Sequence, residues 1–228
     1  MPEYFRRNHC LLAHVLPQEA TAALEMMLPR RALALLLSLD LLAASDFVHA
    51  DSSTFRVDPA LTNAEFAVMQ LGISKQRGRF ERMRGTIILD AQRKAGSIDF
   101  VIDAASVNTG WNLRDAFLKS AHMLDAERFP TMRFHSTHLA FDDTRLIGVD
   151  GEITLRGVTR PVRFEVKRVQ CGGIPDDNRE NCGALVTGRI SRRAFGMDFA
   201  YPLVGDDVEL DFAVTAFRVR DEGETETP

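Results

Sequence analysis

Three histidines follow residue 51 and are the first candidates for metal binding or acid–base chemistry: His122, His135 and His138. His135 and His138 are three residues apart on a predicted strand, and this spacing places two side chains on opposite faces. The pair therefore cannot hold one metal ion together, and a catalytic metal needs three convergent ligands. We predict no metal site and no cofactor, with the histidines at the surface or in satisfied contacts.

The adjacent residues Arg114 and Asp115 form a second candidate. Arg114 could hold a phosphate or a quinone carbonyl by charge-assisted hydrogen bonds. Alternatively, the two residues fix their segment to a strand end, and the frequency of local ion pairs favours this interpretation. The sequence has no GxSxG elbow, no HExxH and no phosphate-binding or dinucleotide-binding glycine loop. We therefore predict a binding protein and not an enzyme.

Two cysteines, Cys171 and Cys182, flank the polar loop CGGIPDDNRENC. Their spacing does not fit a redox CxxC motif, and a metal site would need two further ligands. An even pair across a predicted hairpin favours a structural disulfide formed in an oxidising compartment. The third cysteine, Cys10, lies in an N-terminal prefix that we expect to be absent from the mature protein.

Residues 28–50 have the pattern of a secretory signal: two arginines, a short apolar run and the small-residue sequence Val-His-Ala ending at Ala50. The apolar run is shorter than the roughly 20 residues of a membrane-spanning helix. We predict translation from Met26 or Met27, cleavage after Ala50 and a periplasmic mature protein. The alternative is an N-terminal helix of the mature domain. The acidic end, 221–228, is predicted to be a disordered tail.

The rest of the chain, 51–220, is dominated by strand patterns. Ser97–Asp103, Pro161–Arg168 and Val208–Ala216 alternate between apolar and polar residues, as strands with one buried face do. Turn signals separate further candidates at Thr54–Val57, Glu65–Gln70, Phe80–Leu89, Met132–Leu139, Arg145–Leu155 and Ala184–Ser191. Eight or nine regularly spaced strands predict one all-β domain, a barrel or a sandwich. Ser106–Phe134 is apolar without alternating, which predicts a partly helical segment covering one end of a barrel.

Five pieces of the chain, in this order, resemble the YceI-like family of lipocalin-like periplasmic proteins that bind polyisoprenoid lipids. They are FRVDPALTNAEFAVMQLGISKQRGRF, SVNTGWNLRDAFLKS, FPTMRFHST, GEITLRGVTRPV and SRRAFGM. The resemblance implies an extended antiparallel eight-stranded barrel whose long apolar tunnel holds an isoprenoid or a quinone tail without a metal. The chain departs from the family at Gln70 and Phe117, where histidines are usual, and at Met123-Leu124, where aromatics are usual. These changes make the predicted tunnel mouth more apolar.

The predicted ligand contacts combine the inward strand residues with the covering segment. They are Phe66, Val68, Phe80, Phe100, Trp111, Arg114, Asp115, Phe117, Leu118, Met123, Phe134 and Phe164. A wider set of candidate lining residues adds Ile98, Val162, Phe195, Phe199, Leu210 and Phe212.

We predict a long-chain isoprenoid lipid as the ligand, sequestered or carried through the periplasm. The formal net charge of −4, with both signs interspersed, argues against a nucleic-acid partner. The sequence leaves open a transient membrane contact and a homodimer. Two other functions also stay open: an enzyme acting on a small lipophile, with Asp115 or a histidine as general base, and a stress-response interaction protein whose barrel is filled by side chains.

Overall fold

The computed structural model describes residues 52–173 and 180–219, which form an antiparallel β structure with one short α-helix. The strands are β1 (Ser53–Val57), β2 (Asn63–Gln70), β3 (Ser74–Phe80), β4 (Met83–Asp90), β5 (Ala95–Asp103), β6 (Val107–Asn108), β7 (Thr131–Asp142), β8 (Arg145–Leu155), β9 (Val158–Gly173), β10 (Glu180–Ser191) and β11 (Val204–Arg218). The helix α1 spans Asn112–Lys119. The predicted prefix, signal sequence and acidic tail lie outside the described residues.

Eight strands close into a barrel in the order β1-β4-β5-β7-β8-β9-β10-β11, and pairing between β11 and β1 completes the ring. The first part of β11 pairs instead with β2, which pairs with β3, and β3 pairs with the short β6. The predicted eight-stranded antiparallel barrel is therefore confirmed. Closure pairs the edges of the ring strands with one another, whereas residues 74–78 of β3, outside the ring, pair only with β2 among the described residues.

The barrel has two different ends. At the disulfide end, Cys171 on β9 faces Cys182 on β10 as a cross-strand pair, and their sulfur atoms are bonded. The predicted disulfide is thus confirmed. At the opposite end, here called the mouth end, lie the β2–β3 turn, the β8–β9 turn and the connection from β10 to β11.

Residues 104–130, here called the cover segment, leave β5 and return to β7 at the mouth end. The amide of Ala104 donates to the carbonyl of Pro130 at 2.9 Å, which closes the base of the segment. Arg156, in the β8–β9 turn, donates from Nη2 to the Ala121 carbonyl at 3.2 Å. Gly157, in the same turn, has a φ of +74° and lies directly under the ring of Phe129. The predicted partly helical cover over one end of the barrel is thus confirmed.

Aromatic side chains fill the barrel between the cover segment and the disulfide end. The ring of Phe164 lies 5.2 Å from that of Phe134 and 5.7 Å from that of Phe212, and Phe100 lies 6.4 Å from Phe212. We call these four residues the aromatic floor. Edge-to-face packing of this kind is favourable for phenylalanine pairs. The interior therefore differs from the long tunnel implied by the family resemblance, because the floor limits its depth.

The sequence patterns missed part of the mouth end. The single strand predicted at Phe80–Leu89 is two strands, since Glu81 and Arg82 interrupt the pairing between β3 and β4. Most of β3, with the sequence SKQRGRF, was not predicted, because it carries too few apolar residues to alternate. It is a strand because its backbone pairs with β2 along its whole length.

Candidate functional site

A cavity of about 300 Å³ lies between the aromatic floor and the cover segment. Strands β2, β8, β10 and β11 contribute inward side chains to its wall, and alternation explains why Phe66 and Val68 face it while Met69 does not. Eight predicted ligand contacts line it: Phe66, Val68, Phe80, Trp111, Arg114, Phe117, Leu118 and Met123. From the wider predicted set, Phe199, Leu210 and Phe212 also line it.

The cover segment supplies the roof of the cavity. Phe117 and Leu118, from the last turn of α1, and Met123, from the turn that follows, project into it. The Phe117 ring lies 4.7 Å from the ring of Phe199, which belongs to the connection between β10 and β11. Trp111 and Phe199 line the cavity and are also 56% and 54% exposed, so the cavity reaches the surface beside them. That opening is the mouth.

Arg114 is the main polar group at the mouth. Its guanidinium donates to the Thr109 hydroxyl at 2.8 Å, to the Thr109 carbonyl at 2.9 Å and to the Gln76 side-chain oxygen at 2.7 Å. The same group lies 5.7 Å from the centre of the Trp111 ring, within cation–π range. These bonds tie α1 to β3 and hold one positive charge at the edge of an apolar cavity.

Asp115 does not line the cavity. Its side chain is buried, and its Oδ1 accepts hydrogen bonds from the Thr109 hydroxyl at 2.5 Å and from the Thr109 amide at 2.8 Å. The Thr109 hydroxyl is the main cause of a pKa below the usual value for this carboxyl. Asp115 and Arg114 therefore both form hydrogen bonds with Thr109, and these bonds fix the start of α1 to the end of β6.

A second arginine at the cavity was missed in the sequence. Arg192 lines the wall, is only 2% exposed and donates to the carbonyls of Met197, Val204 and Gly205. Burial lowers the pKa of this guanidinium. Its hydrogen bonds fold the connection between β10 and β11 back over the barrel, which brings Phe199 to Phe117. The sequence around Arg192 and Arg193 shows only two arginines beside a strand end, and it contains no motif that predicts a buried arginine bound to three carbonyls.

Four predicted contacts do not reach the cavity. Phe100, Phe134 and Phe164 belong to the aromatic floor, and Asp115 faces Thr109. The rest of the lining was absent from the predicted contacts: Ala64, Glu65, Gln70, Gln76, Ile102, Val107, Leu124, Met132, Ile153, Leu155, Ile190, Met197, Val204 and Val208. The alternation of apolar and polar residues in β8 and β11 could have identified Ile153, Leu155 and Val208 as inward-facing residues. The connection that contains Met197 is irregular, and its sequence has no pattern from which the position of this side chain could be predicted.

The prediction that His135 and His138 point to opposite faces of their strand was wrong, whereas their predicted place at the surface or in satisfied contacts is confirmed. The register of β7 against β8 shifts between Ser136 and His138, so a β-bulge changes the phase of the alternation. As a result both His135 and His138 are exposed, and they lie beside different carboxylates, Asp99 at 2.7 Å and Asp150 at 3.3 Å. Neither lines the cavity.

Comparisons with known proteins agree with this architecture. A model of the YceI-like domain family matches residues 55–216. A UPF0312 protein of Pectobacterium atrosepticum is 32% identical over 155 residues, which cover 68% of this chain and 80% of the relative. The crystal structure of the Campylobacter jejuni YCEI protein is 26% identical, with a TM-score of 0.57, covering 67% of this chain and 90% of that one.

A polyisoprenoid binding domain from Saccharophagus degradans has the same fold at 16% identity, with a TM-score of 0.53, covering 72% of this chain and 98% of that one. The family match spans the barrel, the cover segment and the cavity between them. The chain therefore belongs to the YceI-like domain family.

Proposed function

We propose that this protein binds a long-chain isoprenoid lipid, a polyprenyl chain or a quinone tail, in the cavity beneath the cover segment. The observation that carries the proposal is the lining: among its side chains, aliphatic and aromatic residues far outnumber polar ones. Apolar pockets with few polar anchors are typical of sites for lipophilic ligands. The likeness in fold to a domain described as polyisoprenoid binding supports the same ligand class.

The size of the cavity sets how much of the lipid is enclosed. A volume of about 300 Å³ holds about ten groups the size of a methylene, if each takes about the 30 Å³ of a water molecule. Ten carbons correspond to about two isoprene units, and burying them contributes roughly 8 kcal/mol before ordering costs. A longer chain extends through the mouth, past Trp111 and Phe199.

The polar end of the lipid is proposed to lie beside Arg114. A guanidinium has five N–H groups, and three of those on Arg114 are engaged by Thr109 and Gln76. The remaining two are directed to no acceptor among the described residues and suit a phosphate or a quinone carbonyl. Release then requires the cover segment to move, because Phe117 and Leu118 lie over the cavity.

Binding without chemistry is part of the proposal. A general base that works near neutral pH needs a raised pKa and access to the ligand. Asp115 has a lowered pKa and faces Thr109, while His135 and His138 are on the outer surface. These placements argue against Asp115, His135 and His138 as general bases. The third histidine, His122, is exposed beside the mouth, with its ring 6.5 Å from those of Phe117 and Phe199, and it does not line the cavity.

Export to the periplasm completes the proposal. The Cys171–Cys182 disulfide suits an oxidising compartment, and residues 28–50 have the pattern of a secretory signal. In that compartment, a protein with an enclosed apolar site would carry or sequester a lipid that is insoluble in water. Within residues 52–173 and 180–219, no helix has the length and apolar character needed to cross a bilayer.

Native mass spectrometry of the protein purified from a bacterial periplasm tests the proposal, followed by extraction and identification of bound lipid. We expect a one-to-one adduct with an isoprenoid mass. A protein that is purified empty and takes up neither farnesol nor a short-chain ubiquinone would contradict the proposal and favour a filled barrel with a surface function.

A further inference from the structure

The mouth is surrounded by large apolar side chains that are exposed to solvent. Of the thirteen exposed large hydrophobic residues among those described, eight lie in three segments at the mouth. Ile73 is 86% exposed, Leu113 72% and Leu203 60%. Together with Met69, Leu71, Trp111, Phe199 and Tyr201, they form what we call the mouth rim. Single exposed hydrophobics are ordinary, but a contiguous group marks an interaction surface.

The three segments that carry the rim are in contact with one another. Arg114 on α1 donates to Gln76 on β3, next to the β2–β3 turn. The amide of Leu71 in that turn donates to the Leu203 carbonyl at 2.7 Å. The contact between Phe117 and Phe199 joins the β10–β11 connection back to α1. The contacts run in a ring around the cavity opening.

Charge around the rim differs from the charge of the whole protein. The segments 69–77, 111–119 and 192–206 contain six basic and three acidic residues, whereas the chain has a formal net charge of −4. Asp198 forms an ion pair with Arg193, whereas Asp115 and Asp206 accept hydrogen bonds from neutral hydroxyls and keep their charge. Among the basic residues, Lys75 is also paired, with Glu209. Among the described residues Arg77 and Lys119 make no direct ion pair, and they act at longer range on Glu209 and Asp115. With six basic and three acidic residues, the three segments keep a net charge of +3.

We propose that the mouth rim docks the protein on an anionic lipid bilayer, with Trp111 and the rim aliphatics inserted at the headgroup level. Tryptophan and tyrosine beside aliphatic residues, flanked by basic side chains, is the composition that interfacial membrane binding uses. Basic residues near the surface add attraction to anionic lipids that falls with salt. The cavity opens inside this rim, so docking would connect the binding site directly with the bilayer. The proposal goes beyond lipid binding in the cavity and is testable without it.

The test measures partition of the purified protein onto vesicles of equal parts phosphatidylcholine and phosphatidylglycerol. Trp111 is the only tryptophan of the chain, so quenching of its fluorescence by brominated lipid reports its insertion directly. We expect Ile73→Ser combined with Leu203→Ser to weaken partition by about tenfold or more. The matched control is Ile88→Ser with Leu185→Ser, which removes one exposed isoleucine and one exposed leucine outside the rim and should partition like wild type.

Three results would overturn the docking proposal: wild-type protein that leaves vesicles unbound with Trp111 unquenched, equal losses in the two double variants, or rim variants that change only the oligomeric state. The last would assign the rim to a second copy of the chain. Farnesol binding in vesicle-free buffer is measured on the same proteins. Since Ile73 and Leu203 do not line the cavity, their variants should keep wild-type farnesol affinity, which separates failure of docking from failure of the proposed binding function.

Discussion

Filling the cavity from within is the most direct test of where the ligand binds. Val68 lies in the middle of the site, where its side chain faces the cavity between Phe66 and Gln70 on the same strand. Its cross-strand partners are Val208 on β11 and Gln76 on β3, which also line the cavity. In Val68→Phe the larger side chain occupies space that is otherwise open to the ligand.

The expected loss of affinity follows from the volume. Phenylalanine places about four more carbon atoms in the cavity than valine, out of the roughly ten carbons that it encloses. A ligand that loses the burial of four carbons loses about 3 kcal/mol at 0.8 kcal/mol per carbon. That difference corresponds to a decrease in affinity of roughly a hundredfold.

The assay is titration of farnesol by isothermal calorimetry, with the change in Trp111 fluorescence as a second readout. Met69→Phe is the matched control, because Met69 is the next residue along β2 and its side chain points outward. Thermal unfolding confirms that both variants fold. If folded Val68→Phe bound farnesol with wild-type affinity, the ligand would not occupy this cavity and the argument from volume would be refuted.

Three further predictions concern the parts that hold the cavity in place. Replacing both Cys171 and Cys182 by serine opens a loop with a sequence separation of 11, so urea unfolding should show a loss of about 3 kcal/mol on the chain-entropy model; an unchanged transition would contradict this role. Asp115→Asn should be less stable than wild type at neutral pH: because the pKa of Asp115 is lowered in the folded state, the stabilisation by its carboxylate is present above its unfolded pKa and is lost as the pH falls through the lowered value. Melting temperatures of the two proteins should therefore converge in acid, and a difference independent of pH would rule out the carboxylate as its source. Gly157→Ala should lower the free energy of unfolding by about 1–2 kcal/mol, because alanine is disfavoured in the left-handed backbone conformation. The loss should be larger still, since a methyl group there would lie 2.8 Å from the Phe129 ring. In the control, Gly172→Ala, the added methyl group meets no described atom within 4 Å, so chemical denaturation should show a nearly unchanged free energy of unfolding.

The all-β architecture could be predicted because it depends on local patterns. Apolar and polar residues alternate strictly in Ser97–Asp103 and Pro161–Arg168, and this pattern predicts strands with one buried face. Both segments lie within strands, β5 and β9. The spacing of Cys171 and Cys182 predicted their pairing, since a hairpin brings such residues opposite each other. Loss of alternation in Ser106–Phe134 marked the cover segment, because a segment that spans a barrel end has no reason to alternate.

The candidate site could be predicted only in part, because alternation states which way a side chain points and not what it meets. Phe66 and Phe164 both point inward; Phe66 lines the cavity, whereas Phe164 packs on Phe134 and Phe212 in the floor. A bulge after Ser136 altered the phase of β7, and this placed both histidines outside.

Only the tertiary structure decided where the barrel interior is filled and where it is open. The floor and the mouth are formed by residues far apart in sequence, such as Phe117 and Phe199, whose distance depends on barrel closure and on the carbonyl contacts of Arg192. The sequence by itself determined strands, disulfide and an apolar cover, because each is encoded within one segment or hairpin. The depth of the cavity and the formation of the mouth rim depend on how several segments meet, and no single segment encodes that.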